Sequence, residues 1–225
     1  MGFFMSTVAI TGANGGIGLA FVEHYIKKDY EVYALCREAG DKLKSSGAHV
    51  VEGIELTTDE GFVKANLALE DVAIDILINN AGVFKNESLG SIDYETIKYQ
   101  FLVNTIAPLK LTEMLYERLL PGSKVAMITS RMGSIEDNTS GNYYGYRASK
   151  AALNAVGVSL ANDMKDKGIW VGLLHPGFVN TKMVSFKGQI EPEESVSGLT
   201  AIIDDNANAS NSGRFWHTNG EYLPW

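Results

Sequence analysis

The chain has 225 residues, of which 45% are hydrophobic and 20% charged, a composition typical of a globular protein with one domain. Its net charge of −8 argues against a nucleic-acid partner, because phosphate binding needs clustered lysine and arginine. The single cysteine, Cys36, excludes an internal disulfide. We see no signal peptide and no apolar run of the ~20 residues that a bilayer requires, so we expect a cytoplasmic protein with no membrane partner.

Short apolar runs alternate with longer stretches of helical periodicity, the pattern of a parallel sheet whose strands are joined by helices. We therefore expect one α/β domain spanning residues 1–225, with no repeat and no linker. The strands are predicted at residues 8–10, 32–36, 50–55, 74–79, 124–130 and 170–175, with a last edge strand at Phe215 and Trp216.

Three helices stand out between these strands. Apolar side chains recur at every fourth position over residues 17–25 and give the first helix one buried face. A single long helix is predicted from about residue 94 to 120, ended by Pro121-Gly122. Another is predicted from about 143 to 167.

A glycine-rich segment follows the first strand directly and begins the first helix. Glycines there allow a tight turn and the close approach of a pyrophosphate, whose charge the helix N-terminus stabilises. The spacing is Gly-x-x-x-Gly-x-Gly, and for this segment alone a plain tight turn is the alternative. The predicted cofactor contacts are Gly12, Asn14, Gly15, Gly16, Ile17 and Gly18.

Small residues also follow the fourth strand, at Asn80, Ala81 and Gly82. Ligands of open α/β sheets bind at the carboxyl ends of the strands, next to the point where the strand order reverses. Small side chains there would let a cofactor lie close to the backbone. A polar turn that merely ends a strand is the other interpretation.

Tyr146 and Lys150 are four residues apart in the predicted helix over 143–167, so their side chains share one face. A nearby ammonium favours the phenolate and lowers the tyrosine pKa toward the working range of a general acid/base. Tyr143 and Tyr144 have no lysine four residues on. Tyr146 is therefore the predicted proton donor.

Taken in order, these motifs resemble the short-chain dehydrogenase/reductase family over essentially the whole chain. The resemblance implies a doubly wound Rossmann-type fold and hydride transfer between a nicotinamide cofactor and a carbonyl or alcohol, with Tyr146 assisted by Lys150. The family's catalytic serine matches Ser130, whose hydroxyl would bond the substrate oxygen. Its asparagine, which kinks a helix and holds a water linked to the lysine, matches Asn104. Ser130 and Tyr146 are 16 positions apart, a few more than is usual, with the extra residues in the polar loop 134–142.

The segment after the sixth strand resembles the Pro-Gly turn of the family, in which a later threonine contacts the nicotinamide carboxamide. This implies further cofactor contacts, in addition to Tyr146 and Lys150. His175 is interpreted as a packing residue. The implied contacts are Pro176, Gly177, Val179 and Thr181.

The end of the second strand predicts NADP(H) in preference to NAD(H). NAD-dependent enzymes place an acidic residue there, but this chain has Cys36 followed by Arg37, which can bind a 2′-phosphate. The family's second phosphate-binding cation is missing, because Gly15 holds that position. Glu55 and Leu56 replace the pair of an aspartate and an apolar residue that often contacts adenine.

The substrate is expected to be a small, apolar carbonyl compound or its alcohol. A mobile substrate lid is predicted at about residues 183–195, followed by a surface turn near 204–211, and no metal site is expected. The predicted pocket wall consists of Phe84, Met132, Tyr143, Phe178 and Met183.

The short chain and its ending resemble the C-factor/Sniffer-like branch of the family, which includes carbonyl reductases and a cell–cell signalling protein. The resemblance implies a homodimer or homotetramer. One alternative is a cofactor-binding signalling protein of the C-factor type with little turnover. Another is an extended-type nucleotide-sugar epimerase, which needs a substantial C-terminal domain, whereas 44 residues follow Thr181.

Overall fold

The computed structural model of the chain describes residues 5–225, and its strands form one parallel sheet of seven strands in the order β3-β2-β1-β4-β5-β6-β7. The order reverses between β1 and β4, which are adjacent at the centre of the sheet. The predicted doubly wound fold is confirmed. The strands are β1 Thr7–Thr11, β2 Glu31–Leu35, β3 His49–Val51, β4 Ile74–Asn79, β5 Leu119–Ile128, β6 Trp170–His175 and β7 Phe215–His217.

Helices cover both faces of the sheet, and each face has its own hydrophobic core. Phe21 and Leu199 lie in the core beneath α1 and α7, whereas Leu111 and Leu153 lie in the core beneath α5 and α6. None of the helices within residues 5–225 is long and apolar enough to cross a membrane. The helices are α1 Gly16–Lys27, α2 Asp41–Lys44, α3 Asp59–Ala68, α4 Tyr94–Phe101, α5 Ala107–Met114, α6 Tyr144–Asp163 and α7 Pro192–Thr200.

The single long helix predicted over 94–120 is confirmed from Tyr94 to Met114, with a change of helix type inside it, and is wrong beyond Met114. A π-helical turn over Leu102–Ile106 separates α4 from α5, and α5 ends at Met114. Leu119 already belongs to β5, where it pairs with Ile74 of β4. The Pro121-Gly122 pair lies within β5 at a shift in register between the two strands, so it bends a strand and does not end a helix.

The lid predicted at 183–195 is too long at its C-terminal end. From Pro192 the chain forms α7, whose Ser195 is fully buried and donates its hydroxyl proton to the carbonyl of Pro176 at 2.6 Å. The surface turn predicted near 204–211 begins inside a second π-helical turn, which follows α7 and buries Ile203. Only residues 185–191 lie between the short turn at Lys182–Val184 and α7.

Candidate active site

A cleft of about 650 Å³ lies at the carboxyl ends of β1, β2, β4 and β5, across the point where the strand order reverses. Of the predicted cofactor contacts, the structure brings all but two to its wall. The exceptions are Gly177, outside the lining, and Val179, which is buried and pairs with Ile190. The contacts on the wall are Gly12, Asn14, Gly15, Gly16, Ile17, Gly18, Arg37, Glu55, Leu56, Asn80, Ala81, Gly82, Tyr146, Lys150, Pro176 and Thr181.

The turn between β1 and α1 leaves room for a phosphate group. A methyl group on Gly18 would overlap the carbonyl of Gly12, and one on Gly12 would lie 2.9 Å from the Cα of Ala81, so both glycines are needed for packing. At Gly15 the same methyl group would meet nothing within 4 Å. No side chain caps α1 at Gly15, so its first N–H groups are available to an anion. A pyrophosphate therefore fits this turn.

Asn80 fastens the two central strands together at the cleft. Its side-chain amide donates to the carbonyl of Thr11 at 2.9 Å. The Thr11 hydroxyl in turn accepts from the backbone N–H groups of Asn80 and Ala81, each at 3.0 Å. These bonds hold the small residues after β4 beside the glycine-rich turn, as the sequence predicts.

The predicted proton-transfer residues come together at the other end of the cleft. Tyr146 and Lys150 are one turn apart on α6, and the phenol of Tyr146 faces the hydroxyl of Ser130, just after β5. The Lys150 ammonium lies 5.9 Å from the centre of the Tyr146 ring and donates to the carbonyl of Ile128 at 2.8 Å. Ser130 is itself held by an N–H bond from Met132 at 3.1 Å.

Burial dominates the ionisation of this group. It lowers the pKa of Lys150 to about 7. It raises the pKa of the Tyr146 phenol, and the neighbouring Ser130 hydroxyl counters only part of that rise. The expectation that Lys150 lowers the pKa of Tyr146 stays a prediction.

Asn104 lies in the π-helical turn, which is the helix kink that the resemblance implies. Its side-chain oxygen accepts from the N–H of Val83 at 2.8 Å. Its amide donates to the carbonyl of Val83 at 2.9 Å and to the hydroxyl of Ser149 at 3.0 Å. The side chain thus joins the loop after β4 to α6, and its link to a water stays a prediction.

The adenosine end of the cleft carries mixed charge. The Arg37 guanidinium lies 3.6 Å from one carboxylate oxygen of Glu55, and the other accepts from the hydroxyl of Thr57 at 2.9 Å. Glu38 and Thr57 also line the cleft, and neither was predicted to do so. The only sequence signal for Glu38 is its position directly after Arg37.

Only one of the residues predicted to form the substrate pocket lines the cleft. The Phe84 ring lies edge-on to Tyr146, with 4.9 Å between centroids, and 5.5 Å from Tyr143. Met183 lines the cleft, whereas Phe84, Met132, Tyr143 and the half-exposed Phe178 are not among the lining residues. Among the apolar lining residues that were missed, Tyr99 of α4 and Val103 of the π-helical turn lie one turn apart, just before Asn104.

His175 does not line the cleft. Its ring packs against His217, with centroids 5.0 Å apart, and burial lowers its pKa to about 3. The imidazole is therefore neutral at physiological pH, in agreement with a packing residue.

Residues 6–191 match the family model described as short chain dehydrogenase. The 1-hydroxy-2-glutathionyl-2-methyl-3-butene dehydrogenase of Rhodococcus sp. strain AD45 is 39% identical over 227 residues, which cover 98% of this chain and 100% of that protein. The C-signal of Myxococcus xanthus is 41% identical over 155 residues, covering 68% of this chain and 93% of that protein.

Solved structures of carbonyl reductases share the fold. The carbonyl reductase Sniffer of D. melanogaster superposes with a TM-score of 0.88 at 26% identity, covering 99% of this chain and 100% of that one. A carbonyl reductase from Pseudomonas aeruginosa PAO1 in complex with NADP gives 0.84 at 32% identity, covering 98% and 100%. The resemblance inferred from the sequence motifs is confirmed.

Proposed function

The chain belongs to the short-chain dehydrogenase family and is an oxidoreductase, and we propose that it transfers a hydride between NADP(H) and a small carbonyl or alcohol substrate. The observation that carries this proposal is the group of Tyr146, Ser130 and Lys150 at one end of a cleft whose other end fits a pyrophosphate. When bound, the nicotinamide supplies or accepts the hydride.

In the reducing direction the substrate carbon gains a hydride and its oxygen gains a proton. Tyr146 donates that proton from its phenol, and Ser130 donates a hydrogen bond to the same oxygen. Burial keeps the phenol protonated and ready to donate. Lys150, with a pKa of about 7, returns a proton to the phenolate near neutral pH. Oxidation of an alcohol reverses each step.

The proposed cofactor contacts divide by chemistry. The N–H groups at the start of α1 hold the pyrophosphate, and Arg37 pairs with the 2′-phosphate. Lys150 and Thr181 contact the nicotinamide end. The absence of an acidic side chain at Cys36 supports NADP(H) over NAD(H), and so does the NADP complex of the Pseudomonas carbonyl reductase.

The apolar lining of the cleft supports an apolar substrate, because Tyr99, Val103 and Met183 lie there. Oxidation of an alcohol that carries a thioether belongs in the same class, given the name of the Rhodococcus relative. We also propose that the protein is cytoplasmic and forms a homodimer or homotetramer. The partly exposed Leu102 and Ile106, four residues apart in the π-helical turn, support the assembly.

The test is a screen of cofactor turnover in both directions. NADPH and NADH are each followed at 340 nm with aldehydes, ketones and quinones, and NADP⁺ and NAD⁺ with alcohols that include thioether alcohols. We expect turnover of NADPH with at least one apolar carbonyl compound. Tight cofactor binding without turnover on the whole panel would favour the alternative, a signalling protein like the C-signal relative.

A further inference from the structure

Glu87 is a buried carboxylate for which the proposed reaction has no use. It follows β4 in the loop that contains Phe84, and it is 3% exposed. One carboxylate oxygen accepts from the Gln100 amide at 2.6 Å and from the Thr96 hydroxyl at 3.0 Å. The other accepts from the backbone N–H of Gly145 at 3.0 Å. The salt bridges described within residues 5–225 include none to Glu87.

Glu87 is the last member of a polar ladder between this loop and the helix that follows it. Every fourth residue of α4 and the π-helical turn bonds to an alternate residue of the loop, so a row of polar side chains on one helix face holds the whole loop. The bonded pairs are Asn104 with Val83, Gln100 with Lys85, and Gln100 and Thr96 with Glu87.

Glu87 also forms hydrogen bonds to the start of α6, the helix that carries Tyr146. Gly141, Asn142 and Tyr143 all have positive φ values, of 66°, 55° and 55°, so the chain enters α6 through three consecutive left-handed residues. For the non-glycine residues this conformation is strained and needs support from neighbouring groups. The carbonyl of Glu87 accepts from the N–H of Tyr143 at 2.9 Å, and its carboxylate takes the N–H of Gly145.

The charge of Glu87 also suits this position. A carboxylate at a helix N-terminus is stabilised by the helix dipole. Gly145 allows its close approach, because a methyl group there would lie 3.0 Å from the Glu87 oxygen and 3.0 Å from the Cα of Ile97. Glu87 thus caps α6, although it lies outside that helix. The capped N–H group belongs to Gly145, the residue before Tyr146.

We propose that Glu87 is a positioning residue for proton transfer: it fixes the first turn of α6 and thereby sets the phenol of Tyr146 against Ser130. This proposal rests on the proposed function, since it concerns the proton that Tyr146 donates. The Phe84 ring, which lies edge-on to Tyr146 in the same loop, gives Glu87 a second connection to the phenol.

Glutamine at position 87 separates the role of the carboxylate from that of its size. A carboxylate can accept on both oxygens, whereas an amide has one oxygen and an NH₂ group that only donates. Whichever way the amide turns, its NH₂ group faces either the N–H of Gly145 or the NH₂ of Gln100. The start of α6 would therefore loosen or shift in Glu87→Gln, while the side-chain volume stays the same.

The matched control is Asp93→Ala. Asp93 caps α4 by accepting from the N–H groups of Glu95 and Thr96 at 2.9 and 3.3 Å, so its loss weakens the same helix without touching α6. For each variant we would measure kcat per cofactor-binding site, KM, the Kd of NADPH, Tm, and the deuterium isotope effect on kcat with 4-deuterated NADPH. If Glu87→Gln does not fold, Glu87→Asp takes its place.

In Glu87→Gln we expect kcat to fall about tenfold to a hundredfold, as for a small misplacement of a catalytic group, with the Kd of NADPH within about twofold. The isotope effect should rise as chemistry limits the rate. Asp93→Ala should keep the wild-type kcat, even if its Tm falls as far as that of Glu87→Gln. An unchanged kcat in Glu87→Gln, or equal losses in both variants, would overturn the proposal.

Hydrogen exchange keeps this test separate from that of the proposed function. The N–H groups of Tyr143 and Gly145 should exchange faster in Glu87→Gln than in the wild type, and at the wild-type rate in Asp93→Ala. If the wild type turns over no substrate, the proposed function fails, and exchange still decides whether Glu87 positions α6. Unchanged exchange at both groups would overturn the role of Glu87 by itself.

Discussion

The two ends of the cleft differ in how far their ionisable side chains are exposed to water. At the proton-transfer end Lys150 is buried and Tyr146 is partly buried, and burial moves the pKa of each group. At the adenosine end the side chains of Arg37 and Glu55 are 69% and 37% exposed. Water replaces a lost partner at the exposed end but not at the buried one, and dissolved salt screens only the exposed charges. Substitutions should therefore have large effects at the first end and small effects at the second.

The largest effect is expected from Tyr146→Phe. It removes the phenol proton that passes to the substrate oxygen, so kcat should fall by about a hundredfold to ten-thousandfold. The Kd of NADPH should hardly change, because the ring and its contact with Phe84 remain. Steady-state kinetics and a fluorescence titration measure the two quantities. Tyr144→Phe, at the exposed start of the same helix, is the control. Loss of turnover in Tyr143→Phe in place of Tyr146→Phe would contradict the assignment.

Lys150→Met should change the pH dependence of stability. The ordinary lysine pKa is 10.5 and that of Lys150 is about 7, so between these values the unfolded chain binds more protons than the folded one. The wild type therefore gains stability as pH rises through this window, by up to about 1.4 kcal/mol per pH unit, and below pH 7 it bears the full cost of the buried charge. The methionine variant lacks this dependence.

Urea unfolding at several pH values between 6 and 9 measures this difference. The free energy of unfolding of Lys150→Met, relative to the wild type, should be highest at pH 6 and decrease steadily toward pH 9. Loss of the hydrogen bond to Ile128 offsets all points about equally. Lys98→Met, at an exposed lysine, is the control. A flat difference for Lys150→Met would mean that burial does not lower the pKa of Lys150.

The sequence predicts the Tyr146–Lys150 pair and the glycine-rich turn, because the signals for both are local. Tyr146 and Lys150 are one helical turn apart, and the glycine-rich turn lies within seven residues between a strand and a helix. Local periodicity fixes which face such residues share, and the topology of a parallel sheet brings the carboxyl ends of its strands together.

Contacts between residues distant in the chain could not be predicted. The bond from Gly145 to Glu87 joins residues 58 positions apart, and a lone glutamate in a loop looks like an exposed charge. The start of β5 was missed for the same reason: only pairing with Ile74 makes Leu119 a strand residue. The predicted lid extends too far because α7 buries Val196 and Leu199 in the core with α1. The weak periodicity of that segment does not reveal this packing.

At the exposed end, Arg37→Ala should weaken NADPH binding selectively. A charge-assisted hydrogen bond contributes roughly 1.5–3 kcal/mol, so the Kd of NADPH should rise about tenfold to a hundredfold, with the lower figure favoured by exposure. The Kd of NADH, which has no 2′-phosphate, should hardly change. Lys44→Ala, at a cation outside the cleft wall, is the control. Equal weakening of both cofactors would identify Arg37 as a structural residue.

The smallest effect, and the only expected gain, belongs to Glu55→Gln. The carboxylate of Glu55 competes with the 2′-phosphate for Arg37 and repels it, so removing the charge should tighten NADPH binding and leave NADH unchanged. An exposed ion pair contributes about 0.2–1 kcal/mol, which corresponds to a gain of roughly 1.4-fold to fivefold. Calorimetric titration with both cofactors at low and high salt measures it, and the gain should shrink as salt rises.

Glu52→Gln is the control for this prediction, because Glu52 lies near Lys44 on the same side of the molecule but outside the cleft wall. If the gain acts through Arg37, it should be smaller when Glu55→Gln is made in the Arg37→Ala background, as a double-mutant cycle measures. Weaker binding of both cofactors in Glu55→Gln would instead mark this carboxylate as a contact to adenine. The two ends of the cleft would then differ less than their exposure implies, because an exposed carboxylate would be as necessary for binding as the buried groups are for chemistry.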